Sequence, residues 1–228
     1  MKIPLSHRLL CCADHIAPGA RVADIGCDHG YLGIYLLKHR NAASIIAADV
    51  NEGPLQSAMR NALKYGVRDK MTFYLSDGAQ NIPRDFDTLV CAGMGGDTMI
   101  HILECAPWLR DSRYSLVLQC QSKTPMLRRY LSDTGWEIAA ESILRDGKFL
   151  YTVMRLRWNP ECPKLTAGQC HISPAMLAQQ DPLLAEYYGR IADGLRLAVA
   201  HQQGEEKRLI LEELESIPAL QKNREVEA

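Results

Sequence analysis

Between residues 5 and 157 short apolar runs alternate with helical segments, and the first run is followed by the loop Asp24-Ile25-Gly26-Cys27-Asp28-His29-Gly30. Such alternation commits the chain to an α/β fold, a parallel sheet covered by helices. The pattern predicts a helix over about residues 5–15 capped by Ser6, then strands at Arg21–Ile25, Ser44–Asp49, Met71–Leu75, Thr88–Cys91 and Leu116–Gln119. Helices fall between them: Tyr31–His39, a segment with Pro54 in its first turn and Gly66 past its end, and about Asp97–Cys105. A further helix over Pro125–Asp133, closed by Gly135, leads to two runs, Trp136–Leu144 and Phe149–Leu156, separated by Arg145-Asp146-Gly147-Lys148. Asp-Gly centres tight hairpin turns because both positions need positive φ. The sheet is therefore expected to end in an antiparallel hairpin.

Five parallel strands with a terminal hairpin is the class I Rossmann-like methyltransferase arrangement. A nicotinamide-binding domain keeps its last strand parallel. Residues 159–173 have little periodicity and read as a linker. Beyond it, Asp181-Pro182 opens a stripe of Leu184, Tyr188, Ile191, Leu195 and Ala198; Leu209, Leu214 and Ile217 follow Gly204. These predict a C-terminal helical hairpin, packing on itself or the sheet domain, or offering a partner surface. The expected division is 1–158 for the sheet domain and 159–228 for linker and hairpin.

Among 228 residues, 26 are Lys or Arg and 27 Asp or Glu, a net charge of −1 that speaks against a uniformly basic nucleic-acid binder. The total hides a polarity: residues 1–158 carry 19 basic and 16 acidic side chains, the remainder 7 and 11. Eight cysteines sit mostly in apolar runs without a C-x-x-C pair, and no stretch reaches the roughly 18 apolar residues of a membrane span. A cytoplasmic protein with free thiols is expected, with no membrane partner. Cys162, Cys170 and His171 match no common zinc spacing, so no structural metal is expected.

The loop after the first strand reads D-x-G-x-D-x-G, where a dinucleotide site wants G-x-G-x-x-G. Glycine there lets a ligand approach the backbone at the carboxyl edge of the sheet. Asp24 would repel a pyrophosphate but suits the ammonium of S-adenosylmethionine. Gly26, Cys27 and Gly30 complete that loop. Asp49 ends the second strand 23 residues beyond Gly26, near the roughly 20-residue interval at which an acid meets ribose hydroxyls, with Val50 beside it. Asp77-Gly78 after the third strand suits the adenine amine. Ala92-Gly93-Met94-Gly95-Gly96 after the fourth lets backbone crowd a ligand, with Ala92, Gly93 and Met94 toward the cofactor and Gly95 and Gly96 toward the substrate. Each aspartate alone could be a turn residue; acids after three successive strands make a binding edge.

Together the segments Leu5-Ser6-x-Arg8-Leu9, Ala23-Asp24-Ile25-Gly26-x-Asp28-His29-x-Tyr31-Leu32, Gly53-Pro54-Leu55, Asp77-Gly78, Ala92-Gly93-Met94-Gly95-Gly96 and Leu118-Gln119 resemble the TrmK family over nearly the whole chain. That resemblance implies a bacterial tRNA (adenine-N1)-methyltransferase acting at tRNA position 22, with a coiled-coil-like C-terminal hairpin. Cys120 departs from the family's usual proline after Leu-Gln, while Gln121 keeps an amide.

Adenine N1 carries an in-plane lone pair, so its methylation needs alignment more than a base. The product ring is cationic, and a carboxylate accepting the N6 hydrogen would stabilise that charge. Asp28 stands where such loops usually have glycine, and the resemblance likewise points to it as catalytic; His29 could orient it or contact a phosphate. Gln119 and Gln121 could hydrogen-bond the base, and Tyr31 or Met94 could pack on it. Lys2, His7, Arg8, Arg128 and Arg129 are the expected tRNA contacts. A monomer is expected. The rivals are a methyltransferase for a small molecule or another RNA site, and a binding module without activity.

Overall fold

The structure, a computed structural model, describes residues 2–200 and 204–221. Ser6 caps α1 (His7–Asp14), its hydroxyl accepting the Leu9 N–H at 3.4 Å. Then come β1 (Arg21–Ile25), α2 (Tyr31–His39), β2 (Ser44–Asp49), α3 (Glu52–Lys64), β3 (Met71–Leu75), β4 (Thr88–Gly95), α4 (Gly96–Glu104), β5 (Ser115–Ser122) and α5 (Thr124–Asp133). The hairpin is β6 (Trp136–Asp146) with β7 (Phe149–Trp158). Spatial order is β3-β2-β1-β4-β5-β7-β6, with β7 antiparallel to both neighbours and β1 to β5 parallel.

Strand residues alternate between two cores. Leu89 and Cys91 of β4 and Leu116 and Leu118 of β5 face Met99 and Leu103 of α4 and Leu127 and Leu131 of α5. Val90 and Val117 face Cys12 of α1, Leu32 and Leu36 of α2 and Ala58 of α3. A sheet buried on both faces reads as near-continuous apolar runs, which is why its strands were legible. Because β1 to β5 are parallel, the loops after them converge on one carboxyl edge.

The later chain packs on the hairpin side of this sheet. A short helix, α6 (Pro174–Gln179), which the sequence pattern does not predict, follows residues 159–173. Then come α7 (Leu184–Ala200) and α8 (Glu205–Glu215), with residues 201–203 between them outside the described residues. Ile143 of β6 joins Ile172, Met176, Leu184, Tyr188, Ala192, Leu195, Ile210 and Leu214 in one core. The buried stripe is shifted from the one expected: Ala192 and Ile210 are buried, whereas Leu209 is 53% exposed. Ile210 and Leu214, one turn apart, turn toward α7 and leave Leu209 on the flank.

Arg128 is a correction. Expected on the tRNA surface, it is fully buried, its Nε and Nη2 donating to Glu141 Oε1 at 3.2 and 2.6 Å. Its Nη1 donates to the carbonyls of Cys170 and His171 at 2.8 and 3.0 Å. Ser173, the cap of α6, donates to the other Glu141 oxygen at 2.5 Å. A buried guanidinium persists only with its donors paired, and here the linker carbonyls supply what Glu141 does not. Arg128→Ala would strand the Glu141 charge in the interior and should lower unfolding free energy by about 3 kcal/mol, read from the urea midpoint.

Among the described residues no helix is long and apolar enough to cross a membrane, and no three His, Cys, Asp or Glu side chains form a metal-holding group.

Candidate active site at the carboxyl edge

A cleft of about 460 Å³ opens where the loops after β1 to β5 meet α1. At its base Asp24 is buried and its Oδ2 has no hydrogen-bond partner. Burial, with the like charge of Asp49, pushes this carboxyl up to about 7, against a lowering contribution from the Gly33 N–H. A buried carboxylate oxygen without a partner is costly, and a ligand cation is the natural partner for one that faces a cleft.

The neighbouring loop is built around Asp49. Its carboxylate accepts the N–H groups of Asp28 at 3.2 Å and Asn51 at 3.0 Å. Gly26 takes φ of 71°, a conformation that strains any side chain, and a Cβ there would also push the Met94 Cε aside. Asp28 itself sits at φ 48°, a left-handed conformation that aspartate tolerates better than most residues. Its side chain is exposed on the cleft, 3.7 Å from His29 Nε2. His29 stacks obliquely near Tyr31, with ring centroids 5.8 Å apart. Burial, followed by the charges of Asp24 and Asp49, raises the Cys27 thiol well above its ordinary range, so it is no ready nucleophile.

The β4 end departs from a regular strand. Pairing with β5 is irregular around Ala92, Met94 and Gly95, and Gly93 takes φ of 81°. The freed Gly93 N–H donates to Gln119 Oε1 at 3.1 Å, and Gln119 Nε2 donates to the Cys120 carbonyl at 3.1 Å. Gln119 is thus fully buried with its amide engaged, a residue that positions the bulge; exposed Gln121 is the amide free to face the opening.

The cleft gathers Arg8, Asp24, Gly26, Cys27, Asp28, His29, Tyr31, Asp49, Val50, Asp77, Gly78, Ala92, Gly93, Met94, Gln119 and Gln121. Besides the buried Arg128, six expected residues, Lys2, His7, Gly30, Gly95, Gly96 and Arg129, stand apart. Gly30 abuts Ala58 of α3, while Gly95 and Gly96 lie against Ser122 and Lys123, easing the close passage of the β4–α4 and β5–α5 turns. Exposed Arg129 lies near Cys170 and His171, where burial raises the thiol and lowers the imidazole and the Arg129 charge is a lesser, lowering contribution to each. Arg8 lines the cleft but is held by Asp146 of the hairpin turn at 2.7 Å. Ser76, Thr98 and Ile102 also line the cleft, beyond the residues expected there. Ser76 precedes the noted Asp77-Gly78 and closes that turn by donating to the Gly78 carbonyl at 2.9 Å, a signal readable from Ser-Asp-Gly; Thr98 and Ile102 lie on α4 and left none.

An amino-acid-bearing adenosine cofactor fits these residues: an orphaned carboxylate for its ammonium, a second acid beyond it, and glycines where the backbone must be close. A methyltransferase-domain family model matches residues 5–154. The tRNA (adenine(22)-N(1))-methyltransferase of Bacillus subtilis (strain 168) is 32% identical over 154 residues, which are 67% of this chain and 65% of that protein's length. The crystal structure of the B. subtilis M1A22 tRNA methyltransferase TrmK superposes with a TM-score of 0.78 at 25% identity, covering 99% of both chains. A Streptococcus pneumoniae protein, provisionally named a tRNA (m1A22) methyltransferase and solved with S-adenosyl-L-methionine, gives 0.80 at 28% identity over 96% of this chain and 99% of its own. The chain belongs to the methyltransferase-domain family and, within it, to the TrmK family.

Proposed function

We infer that this protein methylates N1 of an adenine in tRNA, position 22 by its family, using S-adenosylmethionine. The observation that carries the reading is the buried, unpartnered Asp24 oxygen in a cleft whose rim holds a second, exposed carboxylate, Asp28. When bound, the cofactor supplies a methyl group made electrophilic by its sulfonium. Asp24 receives the cofactor ammonium, Asp49 the ribose hydroxyls, and the Asp77-Gly78 turn the adenine edge. Asp28 accepts the N6 hydrogen of the target base and so stabilises the positive charge that grows on the ring. His29 orients that carboxylate, and Gln121 and Tyr31 hold the base in plane.

Residues 1–158 act as the catalytic unit and 159–228 as its support. The protein works as a cytoplasmic monomer. With Arg128 withdrawn, Lys2, His7, Arg8 and Arg129 remain the basic candidates, so tRNA binding is modest and local. The logarithm of affinity should fall against that of salt concentration with a slope of about −3, measured by fluorescence anisotropy. A flat salt response would remove the phosphate contacts.

Nucleoside mass spectrometry tests the activity itself. Unmodified tRNA treated with the protein and cofactor should yield 1-methyladenosine, lost when adenine 22 is replaced. Absence of methylated adenine, or retention after replacement, refutes the assignment.

A further inference from the structure

We propose that the face of β7 carrying Phe149 and Tyr151 is a stacking platform for a tRNA nucleotide beside the target adenine, an inference that rests on the tRNA reading above. Because β7 runs antiparallel to β5, its first residues lie at the carboxyl edge, alongside the cleft. The last β5–β7 pair is Cys120 with Thr152; Gln121 and Tyr151 come directly after it toward that edge. Continuity runs also through Arg8, which lines the cleft and places its guanidinium 5.5 Å from the Tyr151 ring centroid.

Phe149 and Tyr151, two residues apart on one strand face, have ring centroids 6.1 Å apart. Phe149 is 53% exposed at the tip of a hairpin, where a phenyl ring contributes little to the core. Lys148 Nζ lies 5.3 Å from its centroid. An exposed aromatic ring with a lysine beside it is the chemistry that takes a base on its face and a phosphate at its rim.

The opposite face of the hairpin is fixed. Leu150 packs into the core made by α7 and α8, and Arg190 of α7 donates to the Lys148 carbonyl at 2.8 Å. Glu186 pairs with both Arg145 and Arg190. The C-terminal helices thereby hold the platform at the cleft mouth, which gives the acidic segment a role without direct RNA contact. A base needs a rigid surface to stack on, since ordering a loose one would consume the gain.

Phe149→Ala should raise the tRNA Kd and KM about tenfold, a factor equal to about 1.4 kcal/mol and within the range of one stacked base. The affinity for S-adenosylmethionine by calorimetry, and kcat at saturating tRNA, should stay at wild-type values. Phe149→Tyr should restore tRNA affinity to within about threefold, since the ring face is kept. Lys148→Gln should cut the salt slope by about 1, whereas Phe149→Ala leaves the slope unchanged. Wild-type tRNA affinity in Phe149→Ala overturns the platform, and does so equally if sedimentation shows that the substitution instead breaks a contact between copies of the chain. Failure of the wild-type protein to bind tRNA overturns the tRNA reading itself.

Discussion

Replacing Asp28 by alanine should lower the single-turnover rate about 10²–10³-fold while leaving S-adenosylmethionine affinity within about threefold of wild type. The asymmetry follows from where the carboxylate sits. Asp24 and Asp49 are buried at the cleft base, whereas the Asp28 side chain stands exposed at its rim. A hydrogen bond from N6 strengthens as the adenine ring becomes cationic, so its loss falls on the transition state more than on binding. The backbone complicates alanine, because φ of 48° costs residues other than glycine, asparagine and aspartate about 1–2 kcal/mol. The Asp28 N–H also donates to Asp49, so a relaxed loop would disturb the ribose acid. Asp28→Asn separates the two effects: it tolerates the same conformation and keeps one acceptor oxygen while removing the charge. Stopped-quench rates and calorimetry on both variants decide the matter. Equal losses of rate and cofactor affinity in Asp28→Asn would move Asp28 into the cofactor site.

The binding edge was legible because a parallel sheet sends successive loops to one side. Asp24, Asp49 and Asp77 are far apart in sequence yet must converge once β1, β2 and β3 are recognised as strands. What stayed hidden depends on contacts made across the sheet or between layers. Arg128 reads like any helix-surface cation until the linker closes over it, 42 and 43 residues later, and offers the Cys170 and His171 carbonyls. Gly30 and Gly26 look equivalent in the loop, but one abuts α3 and the other Met94. Gln119 looks available until the β4 bulge turns the Gly93 N–H onto its amide. On α8 the apolar residues Leu209, Ile210 and Leu211 are consecutive, so the sequence left the phase of the buried stripe undetermined. Arg8 gave a correct address at the cleft without revealing its tie to the hairpin turn.

Asp24→Asn should weaken S-adenosylmethionine binding about 10³-fold, as expected when one partner of a buried charge pair is removed. The same substitution should make the ligand-free protein more stable at pH 8. The sign follows from the raised carboxyl. A group that titrates near 7 in the folded chain, against an ordinary value of 3.8, stabilises the fold below 3.8 and loses that contribution as pH rises through 7. Asparagine carries no charge to desolvate. At about 2–4 °C per kcal/mol for a chain of this length, about 2 kcal/mol of relief would raise Tm by roughly 4–8 °C. Cofactor binding reverses the preference, since an ammonium beside Asp24 favours the ionised form. Affinity should therefore weaken up to about tenfold per pH unit below about 7, and fall again above about 8, where an α-ammonium loses its own proton. Calorimetry at pH 6 in buffers of different ionisation enthalpy should register proton release on binding to the wild type and none from this position in Asp24→Asn. An affinity flat from about pH 5.5 to 7.5 would show that the ammonium is held elsewhere, leaving the orphaned oxygen of Asp24 without its partner.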